Sequence, residues 1–446
     1  MKSGEKLRNV AVLGAAGKMG SGITMLTALE MAAQSLLPEN QSFPYLLYAI
    51  DVNNENLAGL MKYIESQALK YAEKNTVYLR KVYANRADLV ENEEIIREYV
   101  HHTLSIVRPV NLIENEADAS LIFEAASENP QLKVSLFRQI EQVNPNKPWY
   151  LTNTSSIPIS WLEHEAAVEG RIIGFHFYNP PAIQKLIEII PSPTTNAELK
   201  DFALDYAQTL KKVIVFSNDK AGFIGNGHFM RDILFATRQV EQLVEKGIPE
   251  ARAVYILNKV SHELLVRPMG IFQLVDYVGI DVCQYIMKVM APHYPAENLQ
   301  SPLLDRMIEA GIKGGQYSDG SQKDGFLKYE KGRIIGVYDL NKKAYQPVDE
   351  FEAFAREWGK PWPEGAPQWK AAVKMNNADE VLASFFAGLK AHNSAAAQLA
   401  LEYGRASCHI AKALVSTGVA HSEEDVNTVL KTGFYHVYGP VNNYFD

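Results

Sequence analysis

The 446-residue chain is 47% hydrophobic and 22% charged, with a formal net charge of −8. That balance excludes a disordered chain and disfavours nucleic acid as a partner, and the length suggests about three domains. Two cysteines, Cys283 and Cys408, cannot build a disulfide framework and fit a reducing, cytoplasmic setting. The polar start MKSGEKLRN predicts no signal peptide, and the lack of any run of about 18 apolar residues predicts no membrane partner.

Residues 9–14, NVAVLG, read as a strand ending in glycine, and a helical pattern runs from Lys18 to about Leu37. After the insertion LPENQSFP, the strand-like YLLYAID closes on Asp51. Residues 55–116 look helical and highly charged. Short apolar runs then return as LIFEAA, WYLTN, RIIGFHF, KLIEII and VIVFS, several of them separated by helical patterns such as QLKVSLFRQIEQV. This alternation predicts a mostly parallel, doubly wound α/β sheet over 1–217. Beyond Asn218 the helical period dominates, so the rest reads as all-α. A Pro- and Gly-bearing stretch around 340–365 divides it into 218–345 and 346–446. The two parts resemble each other: QVEQLVEKGIPEARAVYILNK before RPMG, and HIAKALVSTGVAHSEEDVNTVLK before VYGP, read as a duplicated helical unit.

The first turn, Gly14-Ala15-Ala16-Gly17-Lys18-Met19-Gly20, has the makings of a dinucleotide loop. Gly14 permits the turn, Gly17 lets backbone approach a pyrophosphate, and Gly20 lets the helix pack on the strand. Lys18 and Met19 open the helix, whose N–H groups and positive dipole end suit phosphate. Asp51, at the end of the second strand, can accept the adenosine ribose hydroxyls and would repel a 2′-phosphate, which favours NAD over NADP.

Four later segments each carry a polar residue beside an apolar run: TNTSSIPIS with Ser155, GFHFYNPP with His176, KLIEII with Glu188 and AGFIGN with Asn226. Taken singly, each has a plain explanation: a turn, a core histidine, a solvated strand face, a helix cap. Taken together they resemble the 3-hydroxyacyl-CoA dehydrogenase family. His176 lies 21 residues after Ser155 and 12 before Glu188, and Asn226 lies 50 after His176, as in that family's catalytic set. EAASENPQLK (124–133), HFYNP, GFIGN and RPMGIFQLVDYVGIDV (267–282) are similar to its motifs. The resemblance covers about residues 8–340, and the last hundred resemble the second helical copy of the multifunctional fatty-acid oxidation enzymes.

The resemblance implies a Rossmann-type NAD-binding domain followed by helical domains of the 6-phosphogluconate-dehydrogenase C-terminal type. It implies oxidation of (S)-3-hydroxyacyl-CoA to 3-ketoacyl-CoA, the fatty-acid β-oxidation step. His176 would be the base, Glu188 its orienting acid, and Ser155 and Asn226 the holders of the substrate oxygen. Glu128, Lys133 and Asn153 would touch NAD, and no metal is implied. Acyl-CoA is the expected partner, in a homodimer or in a monomer whose second helical unit covers the dimer surface. The chain departs from the family in its longer glycine loop and in Ala221 and Gly227, where Pro and Arg are usual. Its altered helical stretch at 60–116 carries over no CoA residue; KYAEK and YLRKVYANR read as solvated helix faces. The glycine-lysine loop appears only in expanded form, GIKGGQYSDGSQKDGFLKY. That altered hairpin leaves open a dehydrogenase of a free 3-hydroxy acid or sugar acid. A non-catalytic NAD-binding protein is a further reading, which the intact polar set opposes.

Overall fold

Apolar runs without alternation mark strands covered on both faces, and the first unit, residues 1–219, is built from them. The computed structural model describes residues 3–113, 118–317 and 320–445. After a one-turn helix α1 (Ser3–Lys6), β1 (Asn9–Leu13) leads through the glycine loop into α2 (Gly20–Ser35) and β2 (Leu46–Ile50). The charged stretch folds as α3 (Asn54–Lys74), α4 (Thr76–Val82) and α5 (Asn92–Ile106), ending in β3 (Val107–Val110). Its last residues, 114–116, lie outside the described residues. Then come β4 (Leu121–Glu124), α6 (Pro130–Val143), β5 (Trp149–Thr152), α7 (Ile159–Ala166), β6 (Ile172–Phe177), β7 (Leu186–Pro191), α8 (Ala197–Thr209) and β8 (Val213–Phe216).

Among the described residues these strands form one eight-stranded sheet in the order β3-β2-β1-β4-β5-β6-β7-β8. Strands β1 to β6 run parallel where they pair, β7 runs antiparallel to β6, and β8 is parallel to β7. Strands β4, β5 and β6 are buried along their whole length, as sequence runs of this kind require. Two features depart from the sequence reading. VRPV forms an edge strand, hidden in the sequence because it is four residues long and contains a proline, tolerated only at an edge. The helix after the glycine loop starts at Gly20 and leaves Lys18 and Met19 in the turn.

The second unit, residues 220–446, begins with α9 (Gly225–Glu245) and α10 (Glu250–Lys259), followed by α11 (Ile271–Val278), α12 (Ile280–Met290) and α13 (Pro302–Glu309). Then β9 (Leu327–Glu330), β10 (Arg333–Asp339) and β11 (Ala344–Pro347) form a three-stranded antiparallel sheet. This small sheet departs from the all-α expectation; its strands are short and half exposed, so they carry no buried apolar run. Helices α14 (Val348–Trp358), α15 (Trp369–Ala372), α16 (Ala378–Ala391), α17 (Ala395–Ser416) and α18 (Glu423–Gly433) complete it. The pairs α9–α10 and α17–α18 share a layout: a helix of 21 or 22 residues, a glycine two residues past its end, then a short helix. One hydrophobic cluster, from Ala221 to Phe445, takes in residues of α9, α10 and α17. A β-carbon at Gly227 would stand 3.1 Å from Leu414 of α17. That contact leaves little room for a side chain at position 227.

Candidate active site

In a doubly wound sheet, ligands bind beyond the carboxyl ends of the parallel strands, where the strand order reverses. Here the reversal lies at β1, flanked by β2 and β4. The glycine loop follows β1, Asp51 follows β2, Ala125–Glu128 follow β4, and Asn153–Ser156 follow β5. His176 is the penultimate residue of β6. The fold therefore gathers at one sheet edge nearly every first-unit residue singled out from the sequence.

The loop is packed to the point where side chains are excluded. Gly14 has φ +71°, and a β-carbon there would stand 2.7 Å from the Ala125 carbonyl oxygen. At Gly20 a β-carbon would lie 1.9 Å from the Gly14 carbonyl oxygen, so α2 can approach β1 only without a side chain. Gly17 is the roomiest of the three, with the Gly14 oxygen at 3.2 Å. Asp51 braces the loop: Oδ2 accepts from Ala16 N at 3.0 Å and Oδ1 from Asn53 N at 3.2 Å. A carboxylate has about four lone-pair directions, so both oxygens retain acceptor capacity for ribose hydroxyls. This cradle, with α2 opening at Gly20, fits a dinucleotide.

Strands β6 and β7 place His176 directly opposite Glu188. Opposed residues of an antiparallel pair project from the same face, and His176 Nδ1 lies 3.0 Å from Glu188 Oε2. Both are buried. The neighbours Phe175 and Phe177 project from the other face, where Phe175 packs with Phe123 and Tyr206. The alternation Phe-His-Phe thus separates core from site. Tyr178, unremarked in the sequence, donates to the same Glu188 oxygen at 2.8 Å. Its spacing of two from His176 was the available signal.

Ser155 is held by Glu128. One oxygen, Oε1, accepts from Thr154 Oγ1 (2.7 Å), Ser155 N (2.8 Å), Ser156 Oγ (2.9 Å), Ser156 N (3.0 Å) and Ser155 Oγ (3.3 Å). Burial works against the charge, but Lys133 and these donors prevail and hold the carboxyl below its ordinary range. Lys133 Nζ donates to Glu124 Oε1 at 2.6 Å and to the Ala126 carbonyl at 3.3 Å, and lies 3.4 Å from Glu128 Oε2. Glu124 also accepts from Thr152 Oγ1 at 2.6 Å and Ala126 N at 2.8 Å. Lys133, expected to touch NAD, is enclosed at 1% exposure. Glu124, missed in the sequence, is fully buried; an acid inside the apolar run LIFEAA was the signal. Asn153 Oδ1 accepts from Phe177 N at 2.8 Å, tying the β5 loop to the end of β6.

The turn after Tyr178 is pinned from both sides. Lys212 Nζ donates to the carbonyls of Pro181 (2.6 Å) and Gln184 (2.7 Å), and burial pushes its ammonium down to about 8. The Pro181 ring lies 3.0 Å from where a Gly22 β-carbon would stand in α2. Asn226 belongs to the second unit, as the second residue of α9. Among the described residues no group of three or more His, Cys, Asp or Glu is placed to hold a metal ion, and no helix is long and apolar enough to cross a membrane.

Family models described as the NAD binding domain and the C-terminal domain of 3-hydroxyacyl-CoA dehydrogenase match residues 9–220 and 222–329. A probable 3-hydroxyacyl-CoA dehydrogenase of Caenorhabditis elegans is 31% identical over 330 residues, covering 73% of this chain and 97% of that protein. A probable 3-hydroxybutyryl-CoA dehydrogenase of Deinococcus radiodurans is 30% identical, covering 69% and 97%. The crystal structure of an Escherichia coli 3-hydroxybutyryl-CoA dehydrogenase shares the fold across 98% of this chain and 90% of its own, with a TM-score of 0.63 and 21% identity. The chain belongs to the 3-hydroxyacyl-CoA dehydrogenase family, as an NAD-dependent enzyme whose first unit is the NAD-binding domain.

Proposed function

We propose that the chain interconverts a (S)-3-hydroxyacyl-CoA and its 3-ketoacyl-CoA, with His176 as the proton acceptor. The observation that carries this reading is the buried cross-strand pair of His176 and Glu188 at the carboxyl end of β6. With Glu188 accepting from Nδ1–H, the imidazole presents Nε2 as the base, and the carboxylate stabilises the imidazolium that forms. Nε2 takes the hydroxyl proton of the substrate. Bound NAD supplies the hydride acceptor. Ser155, held at its backbone N–H and hydroxyl by Glu128, would steady the substrate oxygen. Gly14, Gly17 and Gly20 would admit the pyrophosphate, and Asp51 the ribose. The role of Asn226 rests on the family resemblance alone.

The test is a panel of 3-ketoacyl-CoAs from C4 to C16 with NADH, set against free 3-keto acids. Turnover of the thioesters supports the reading; turnover of free acids alone would replace it with a CoA-independent dehydrogenase. His176→Gln should lower kcat by about 10²–10⁴-fold, the range for a lost general base, while NADH binding followed by fluorescence persists. Full activity in that variant would remove His176 from the mechanism.

A further inference from the structure

The oxygen that orients His176 has a second claimant. Glu188 Oε2 lies 3.0 Å from His176 Nδ1 and accepts the Tyr178 hydroxyl at 2.8 Å, and the two rings stand 4.8 Å apart. All three groups therefore meet at one carboxylate oxygen. Burial, and then the charge of Glu188, push the Tyr178 phenol well above its ordinary value, so it remains a donor at neutral pH.

We propose that Tyr178 is a positioning residue that sets the proton affinity of His176 through Glu188. It pins the carboxylate oxygen in line with Nδ1, and it draws on the same negative charge that would stabilise the imidazolium. An oxygen shared between two donors stabilises each less than it would one alone. The hydroxyl thereby favours neutral imidazole, the form that can act as base. The inference rests on His176 being the proton acceptor of the proposed reaction.

Several other titratable groups on the elements packed against β6 are bonded to partners outside this trio, among them Lys212, whose Nζ lies 5.7 Å from the Phe177 ring and donates to the carbonyls of Pro181 and Gln184. On β5, Tyr150 donates to Glu141, which also pairs with Arg171 just before β6. On α7, Glu163 accepts from Gly170 N, Ser192 and Thr194, while His164 pairs with Glu165. Asp219 caps the start of α7 through Ile159 N and Ser160 N. Helix α8 covers the opposite face, where Tyr206 meets Phe175 and bonds Thr27; its Glu198, Asp201 and Asp205 are exposed and Lys200 is half-exposed.

The experiment uses the full chain and Tyr178→Phe, which deletes only the hydroxyl. The titration midpoint of the His176 imidazole is read by NMR without substrate, the signal being assigned through its loss in His176→Gln. The acid limb of kcat/KM is read for oxidation of 3-hydroxybutyryl-CoA by NAD. Both should move up by about half to one pH unit in Tyr178→Phe, with NADH affinity unchanged. In a Glu188→Gln background the same substitution should move neither, since its path runs through the carboxylate. An unmoved imidazole titration in Tyr178→Phe, or an equal shift without Glu188, overturns the proposal. A shifted titration in a chain that leaves acyl-CoA untouched would sink the proposed reaction and keep the coupling.

Discussion

At Lys133 a charge is wholly enclosed, and what encloses it explains why it is there. Its ammonium neutralises Glu124, which has no exposure of its own, and supports Glu128, which gathers the Ser155 loop. Removing one partner of such a buried pair costs about 3–5 kcal/mol, because the remaining charge stays buried and unpaired. Lys133→Met should therefore destabilise the first unit by about that amount in urea unfolding, and a loss below about 1 kcal/mol would show the carboxylates relaxing to solvent. The pH dependence has a definite sign. Glu128 is held below its ordinary range, so its contribution is present above the unfolded value of about 4.3 and is lost as pH falls through the folded one. In Lys133→Met that loss on acidification should shrink, since Lys133 is a leading cause of the depression. At this scale the sequence showed residue types. It could not show that Glu124 and Lys133 meet, because one ends a strand and the other sits in the first turn of the next helix.

The elements most legible in the sequence were those under the strongest local constraint. NVAVLG, LIFEAA and RIIGFHF have no polar face to offer water, so they appear where their apolar runs place them, as β1, β4 and β6. The glycine loop was equally legible because sterics dictate it. Gly20→Ala would set a β-carbon against the Gly14 carbonyl at 1.9 Å, where neither backbone can yield cheaply. We expect at least about a tenfold weaker NADH affinity, measured by fluorescence titration, since a misplaced helix start withdraws its N–H groups and dipole from the pyrophosphate. Unaltered affinity would place the cofactor elsewhere. What stayed hidden was pairing. The antiparallel insertion of β7 beside β6, which sets His176 opposite Glu188, follows from the turn at 178–185 and its pinning by Lys212. No residue type in either strand announces that direction.

Each of the two units carries its own hydrophobic cluster, one from Leu7 to Ala207 and the other from Ala221 to Phe445. A unit with its own core is expected to fold alone. Residues 1–219 by themselves should unfold cooperatively and bind NADH; calorimetry and fluorescence titration check this, and failure to fold would show that the core is not self-sufficient. The net charge of −8 gives no general attraction to anionic NAD or CoA, so binding must rest on local groups such as the glycine loop. The pairs α9–α10 and α17–α18 share a layout, and a β-carbon at Gly227 would stand 3.1 Å from Leu414 of α17. The sequence by itself determined the doubly wound class, the loop and the family, because hydrophobic runs, glycine sterics and the spacing of a few polar residues are local quantities. Only the tertiary structure decided that Lys133 is enclosed, that Tyr178 shares the oxygen of Glu188, and that α17 comes close to Gly227. Those outcomes depend on strand direction, register and close approach between distant segments, which no local pattern encodes.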